Sequence, residues 1–320
     1  MKWISPKRLR QLGILGMNSR NIDYIGRSNN RRLFPLVDDK LKTKKLAEKF
    51  GMSVPRLFAV INNQHDIQSL ETQLSGRDQF VIKPAQGSGG KGILVISERA
   101  GEQYLKPSGA SLNIRDLKHH ASNILSGLFS LGGRPDVVMI EDMIIFDPIF
   151  SHYSYEGVPD IRVIVYKGYP VMAMLRCSTH ESDGKANLHQ GAAGVGIDIG
   201  TGQSLFAVQN NIQIENHPDT GFSFNELSIP DWDHILELAS QCYEMVGLGY
   251  FGADIVLDKN KGPMILELNA RPGLAIQVAN QAGLSKRLER IDQHMLSTAY
   301  DADERVVLSK QLFANPIANS

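Results

Sequence analysis

The sequence predicts an α+β fold in two lobes, on three observations. Helical periodicities alternate with strand pairs closed by short turns. The chain has 320 residues, enough for two lobes with real cores. Its 42% hydrophobic content and only 2 Cys exclude a disordered chain and a disulfide scaffold. No apolar run reaches the roughly 18–20 residues of a membrane helix; Val137 to Ile145, for example, is interrupted by Glu141 and Asp142. No apolar stretch follows Lys2, Lys7, Arg8 and Arg10, which argues against a secretory signal. Cys177 and Cys242 sit in apolar patterns and read as buried thiols of a cytoplasmic protein.

Four segments are expected: a basic N-terminal arm or vestigial domain over 1–37, one lobe over 38–145, a second over 146–300, and a tail over 301–320. Overall charge is balanced, 34 Lys and Arg against 34 Asp and Glu. Residues 1–49 nevertheless hold 13 Lys and Arg against 4 Asp and Glu, a net +9. Such an arm can mean a nucleic acid, an acidic peptide or an anionic surface as partner, or simply a solvated helix face. No series of stacking aromatics accompanies the charges, which argues against a nucleic-acid module.

The elements follow in order. Residues 38–50 read as a helix, with Asp38 and Asp39 in its first turn and Gly51 after its end. Leu57 to Ile61 reads as a strand, and Asp66 to Leu74 as a short helix. Phe80 to Pro84 and Gly92 to Ile96 are strands around a glycine-rich turn. Residues 97–112 read as loop. Asn113 to Phe129 is helical, with Ile114, Leu117, Ala121, Ile124 and Leu128 on one face. Val137 to Glu141 is a buried strand, and 147–159 a loop. Ile161 to Tyr166 and Val171 to Leu175 form a hairpin across Lys167 to Pro170. The glycine-rich stretch 178–203 reads as a long mobile loop or irregular hairpins, which in a compact domain tend to be functional. Asp231 to Val246 is a helix whose core face carries Ile235, Ala239, Cys242, Tyr243 and Val246. Strands Phe251 to Leu257 and Pro263 to Leu268 follow, then helix after Gly273, then a loose end from Ala314.

Gly87-Ser88-Gly89-Gly90-Lys91-Gly92 formally matches G-x-G-x-x-G, but a strand rather than a helix follows it, so a dinucleotide fold is excluded. A P-loop fails as well, because Ala85 and Gly92 stand where Gly and Ser or Thr are needed. What remains is a hairpin with a flexible tip, able to fold over phosphates and offer backbone N–H groups. A protein kinase has a similar hairpin, but here Lys83 precedes the loop and no His-Arg-Asp exists.

Asp254 lies in one strand pattern, and Glu267 and Asn269 in the next, at i and i+2 on one face. Two carboxylates and a carboxamide are hard oxygen donors that suit Mg²⁺ bridged to phosphates. Arg162 follows Asp160 at i+2 at the entry to a strand, Arg176 ends the next strand, and Arg271 sits just after Glu267 and Asn269. Converging on one cleft, they would neutralise a transferring phosphoryl group. Glu141-Asp142-Met143-Ile144 ends a strand as a purine-binding hinge would, and Asn187 and His189 lie in the glycine-rich stretch.

In this order the motifs resemble the ATP-grasp carboxylate–amine ligases, and within them the RimK-type alpha-L-glutamate ligases. The resemblance spans about residues 38 to 285. It rests on Asp39-Lys40-Leu41, Val81-Ile82-Lys83-Pro84, Gln86 to Gly92, Ile140 to Ile144, Asp160-Ile161-Arg162, Lys185 to Gly191, Asp254 and Glu267 to Gly273. It implies two lobes with antiparallel sheets gripping ATP. By this likeness Lys83 would contact phosphates, and Gln86, Gly87, Ser88, Gly89, Gly90, Lys91 and Gly92 would close over them. Glu141, Asp142 and Met143 would meet the nucleotide base, chiefly through backbone. Asp254, Glu267 and Asn269 would hold two Mg²⁺, with Mn²⁺ as an alternative. Arg162, Arg176 and Asn187 would line the acyl-phosphate site, with Arg271 beside them.

Two features depart from the family pattern. Only about 35 residues stand where a full N-terminal domain usually precedes the lobes, so a truncated domain is expected. Asn269-Ala270-Arg271-Pro272-Gly273 also replaces the usual Asn-x-Ser-Pro-Gly, which suggests an acidic group on the substrate or a different substrate altogether. The expected activity is ATP-dependent C–N ligation joining an amino acid such as glutamate, or a peptide, to an acceptor. The alternative is a non-catalytic nucleotide-binding partner that docks an acidic protein through the basic arm.

Overall fold

The computed structural model describes residues 4–87, 89–294 and 300–315. The chain divides into two compact units. The smaller comprises Asp39–Lys45 and Val54–Ile145; the larger comprises Met1–Asp38, Leu46–Ser53 and Phe146–Ser320. The segments 1–37 and 301–320, expected as arm and tail, both fall within the larger unit. No helix among the described residues is long and apolar enough to cross a membrane.

The smaller unit is built on β1 (Leu57–Ile61), β2 (Phe80–Pro84), β3 (Leu94–Ile96), β4 (Glu98–Ala100), β5 (Gln103–Leu105), β6 (Ser111–Leu112) and β7 (Val138–Glu141). The order β1-β7-β2-β3 forms one antiparallel sheet, and β4-β5-β6 a small second one. The second occupies the stretch read as loop: two- and three-residue strands of mostly polar side chains leave no periodicity to detect. Asn113 and Asp116 form a capping box that starts the Ile114–Leu125 helix, and Gly127, at φ 85°, follows its end. That stop leaves Leu128, expected on the core face, 66% exposed. Leu117, Ala121 and Ile124 are fully buried against Ile61, Phe80, Ile82 and Ile140. At the unit's edge Asp39 caps the Lys40–Lys49 helix by accepting from Leu41 and Lys42 N–H, so the helix begins one residue after Asp39.

The larger unit holds one seven-stranded sheet, in the order β12-β11-β10-β9-β8-β13-β14. Its strands are β8 (Asp160–Tyr166), β9 (Tyr169–Cys177), β10 (Ala193–Ile197), β11 (Ser204–Gln209), β12 (Ile212–Ile214), β13 (Tyr250–Asp258) and β14 (Gly262–Asn269). The β8–β9 turn is the two residues Lys167 and Gly168, at φ 51° and 86°, tighter than the four-residue turn expected. Part of the stretch read as mobile, 193–197, is a wholly buried strand inside the sheet. Its glycines permit close approach rather than motion: a Cβ on Gly196 would lie 2.3 Å from the Ala279 carbonyl oxygen, and one on Gly194 would lie 2.7 Å from the Leu188 side chain.

The Trp232–Val246 and Ala302–Phe313 helices pack on the sheet and on each other. The latter, started by an Asp301/Glu304 capping box, replaces most of the expected tail. Both cysteines are unpaired and fully buried, and burial pushes their thiols upward.

The expected basic arm is a chain of short helical turns tied into the larger unit. Arg20 Nη1 donates to the Pro272 carbonyl, and the Asn29 side chain exchanges hydrogen bonds with both backbone groups of Tyr250.

Candidate functional site

In the larger unit, strand pairing decides which side chains meet. Asp254 on β13 is the register partner of Arg162 on β8 and of Glu267 on β14, and Gly252 is the partner of Asn269. Arg162 is opposite Met174 on β9, and Asp160 opposite Arg176. Directly paired residues of antiparallel strands share a face, as do residues at i and i+2. One row across four strands therefore reads Met174, Arg162, Asp254, Glu267, with Asp160 and Arg176 beside it. The sequence places these charges in strands that are otherwise apolar, and β8 and β13 are buried along their whole length.

Buried charges must be paired, and these are. Arg162 donates from Nε to Asp254 Oδ1 at 2.7 Å and from Nη2 to Oδ2 at 2.5 Å. Arg176 Nη2 donates to the same Oδ2 at 2.7 Å and to Asp160 Oδ2 at 2.8 Å, while its Nε reaches Asp160 Oδ1 at 2.5 Å. Asp254 has no exposed surface. Burial alone would raise its carboxyl, but Arg162 and Arg176 outweigh that and hold it below the usual carboxylate range. Asp160 differs: burial dominates over Arg176 and pushes its carboxyl up to about 6. Burial opposes the charge on Arg176, but Asp160 and Asp254 raise it, so Arg176 stays protonated.

Asp254, Glu267 and Asn269 offer hard oxygen donors from adjacent strands, a chemistry that fits Mg²⁺. Among the described residues, no group of three or more His, Cys, Asp and Glu side chains is arranged to hold a metal ion, and this trio contains only two carboxylates. Both Asp254 oxygens are engaged by guanidinium groups, and Asn269 Oδ1 accepts from Arg271 N–H at 2.8 Å. Arg271 itself does not join the two arginines. It is exposed, with its guanidinium 4.7 Å from the centre of the Phe34 ring. Asn187 caps the short Leu188–Gln190 turn through His189 N–H, and Leu188 of that turn covers Gly194, the register partner of Arg176.

In the smaller unit, Lys83 on β2 and Glu141 on β7 form a buried ion pair. Lys44 Nζ adds a second cation 2.8 Å from Glu141 Oε2 and donates to the Pro55 carbonyl. Burial would raise the Glu141 carboxyl, but Lys83 and Lys44 outweigh it and lower it. Lys44 went unrecognised in the sequence because it stands among other lysines of an apparently solvated helix. Asp160 was visible only as the i−2 neighbour of Arg162.

The glycine-rich tip is held at both ends. Gln86 N–H donates to Asp136, Gly87 O accepts from Lys40 Nζ at 2.8 Å, and His120 contacts Gly92 O at 3.0 Å. Between them Gly89, Gly90 and Gly92 have φ of 62°, 74° and 77°, a region that L side chains rarely enter. Lys91 is exposed, and Ser88 lies outside the described residues. Asp142 continues from β7, with its N–H donating to Arg56 O at 2.9 Å, and Met143 follows half-buried.

Residues 19–293 match the sequence profile described as sugar-transfer associated ATP-grasp. The chain belongs to this family. Its antiparallel sheets and helices are the α+β fold of an ATP-grasp protein. This ATP-grasp chain is also similar to a probable alpha-L-glutamate ligase of Maridesulfovibrio salexigens, 25% identical over 238 residues, which covers 74% of this chain and 56% of that relative. A probable alpha-L-glutamate ligase 1 of a Shewanella species is 23% identical over 266 residues, 83% of this chain and 64% of that one. The chain thus spans less than two thirds of these relatives. A solved D-alanine–D-alanine ligase from Bacillus anthracis with ATP aligns over 88% of this ATP-grasp chain and 68% of its own, at 14% identity and a TM-score of 0.44.

Proposed function

We propose that this chain is an ATP- and Mg²⁺-dependent carboxylate–amine ligase. The observation that carries the reading is the row Arg162, Asp254, Glu267 with Arg176 beside it: cationic fork donors next to hard oxygen donors on one sheet face. A carboxylate oxygen of the acid substrate attacks the γ-phosphorus of ATP, and ADP leaves. An amine then attacks the acyl carbon, loses its proton, and expels phosphate to leave an amide. Mg²⁺ held by Asp254, Glu267 and Asn269, as two ions, would neutralise the phosphate oxygens.

The chain's own groups position and neutralise rather than react covalently. Arg162 and Arg176 present planar donor forks to the transferring phosphoryl and acyl phosphate. Lys83 supplies a cation to the nucleotide phosphates, and the backbone N–H groups of Gly87 to Gly92 cover them. Glu141 to Met143 offer backbone to the base. Asn187 reaches the acyl phosphate, and exposed Arg271 remains available to an acidic group on a substrate. The names of the relatives favour glutamate as the amino acid added; the acceptor would be an amino acid, a peptide or an acidic protein.

ADP release with a panel of amino acids and peptides tests the reading. Glu267→Gln is expected to abolish turnover while circular dichroism stays unchanged. Full turnover in that variant would remove Glu267 from the site.

A further inference from the structure

The Asp254 carboxylate cannot serve two arginines and a divalent cation at once. Its Oδ1 accepts from Arg162 Nε, and its Oδ2 accepts from Nη2 of both Arg162 and Arg176. The two arginines are not equally tied. Arg176 has a second bidentate partner in Asp160, at 2.5 and 2.8 Å. Among the described residues, the side-chain hydrogen bonds of Arg162 go to Asp254 alone. Its other cross-strand neighbour is Met174, which offers no strong acceptor. Beside it Gly252 carries no side chain; a Cβ there would stand 3.7 Å from Arg162 Nε.

We infer that a divalent cation and Arg162 compete for Asp254, and that Asp160 is the positioning residue that keeps Arg176 in place when the cation arrives. Three acidic side chains, Asp160, Asp254 and Glu267, stand beside the two guanidinium groups on this sheet face. A dication attracts Asp254 more strongly than a monovalent guanidinium does. Arg176 gives up one hydrogen bond and keeps two. Arg162 gives up both and is freed as the mobile, phosphate-seeking fork. The inference rests on the metal site of the ligase reading, and adds that cation loading and arginine availability are one event.

The test is Mn²⁺ affinity, read by electron paramagnetic resonance on the full chain, with and without a non-hydrolysable ATP analogue. Arg162→Gln removes the competitor and should bind Mn²⁺ about tenfold tighter, although it has lost a group the reaction needs. Asp160→Asn leaves Arg176 leaning on Asp254 alone and should bind about threefold more weakly. Unchanged or weaker Mn²⁺ binding by Arg162→Gln overturns the competition while leaving the ligase reading intact. Absence of Mn²⁺ binding by the unaltered chain in both conditions overturns the metal site, and the ligase reading with it. Should Arg162→Gln not fold, nitrogen-15 spectra of the unaltered chain decide. Saturating Mg²⁺ with the analogue should shift the Arg162 Nε–H resonance and speed its exchange, while Arg176 holds. No change at Arg162 sinks the inference.

Discussion

The two buried charge clusters of this protein solve the same problem with opposite surplus. In the smaller unit, two lysines share one carboxylate: Lys44 and Lys83 both pair with Glu141. In the larger unit, Arg162 and Arg176 stand among Asp160, Asp254 and Glu267. The first cluster has more basic than acidic side chains, the second more acidic than basic. Neither is what a sequence selected only for stability would keep, because a well-packed apolar replacement is often as stable as a buried ion pair. In the ligase reading proposed above, the lysine set would meet an anion such as a nucleotide phosphate, and the arginine–carboxylate set a cation. The choice of cation matches. Ammonium groups serve as compact point charges, whereas the planar guanidinium forks bind carboxylates bidentately and hold an exact geometry on a sheet.

The largest effect that could break this comparison is at its most buried carboxylate. Asp254→Asn leaves both guanidinium groups short of their shared anion, and breaking a buried pair in this way costs about 3–5 kcal/mol. Chemical denaturation should show that loss, together with complete loss of ADP release. A variant as stable as the parent would mean that the arginine lattice contributes nothing to the sheet.

Next in size is Glu141→Gln, which removes the carboxylate that both buried lysines pair with and should cost about 3 kcal/mol. Its pH dependence has a defined sign. The lysines lower the Glu141 carboxyl beneath its ordinary 4.5, so the carboxylate's contribution is present above that value and disappears as pH falls through the lowered one. Denaturation midpoints measured toward acid should converge for parent and variant. Parallel curves would assign the acid loss to other groups.

Lys44→Met sharpens the comparison by removing the surplus while leaving the Lys83–Glu141 pair neutral. Stability should fall less than in Glu141→Gln. Affinity for an ATP analogue, measured by calorimetry, should fall about tenfold, because one nearby cation is gone. Unaltered affinity would show that the surplus is not felt by the nucleotide.

How far the sequence carried this picture differs between the same two regions. The arginine–carboxylate set was legible because strand spacing is rigid: Asp160 and Arg162, or Glu267 and Asn269, at i and i+2 must share a face. The pairing of Asp254 with Glu267 followed from a short turn between two recognisable strands. Arg271 was harder to place because it lies just past the end of β14, where strand alternation no longer fixes direction. Lys44 stayed hidden for a related reason: its burial depends on the Glu141 and Pro55 partners, which are distant in sequence and leave no mark on the helix that carries it. Glycine was ambiguous in the same sense. The stretch holding Gly194 and Gly196 reads in sequence as a mobile loop or irregular hairpins, and only the packing of Leu188 and the Ala279 carbonyl against them reveals a core strand.

The glycines of the tip between β2 and β3 allow the smallest and most discriminating test. Gly89 and Gly92 have similar backbone, φ 62° and 77°, but different surroundings. A Cβ on Gly89 meets nothing within 4 Å, whereas one on Gly92 would lie 2.6 Å from the Phe129 ring. Alanine at either position meets the cost of the left-handed region, about 1 kcal/mol. Only Gly92→Ala adds a collision, and it does so where His120 and Phe129 hold the end of the tip. Thermal unfolding should therefore fall further for Gly92→Ala than for Gly89→Ala. Gly89→Ala should instead act mainly on nucleotide affinity, since its residue stands free at the tip. Equal losses of stability in the two variants would mean that the tip's conformation, and not its anchorage on Phe129, sets its contribution to the unit.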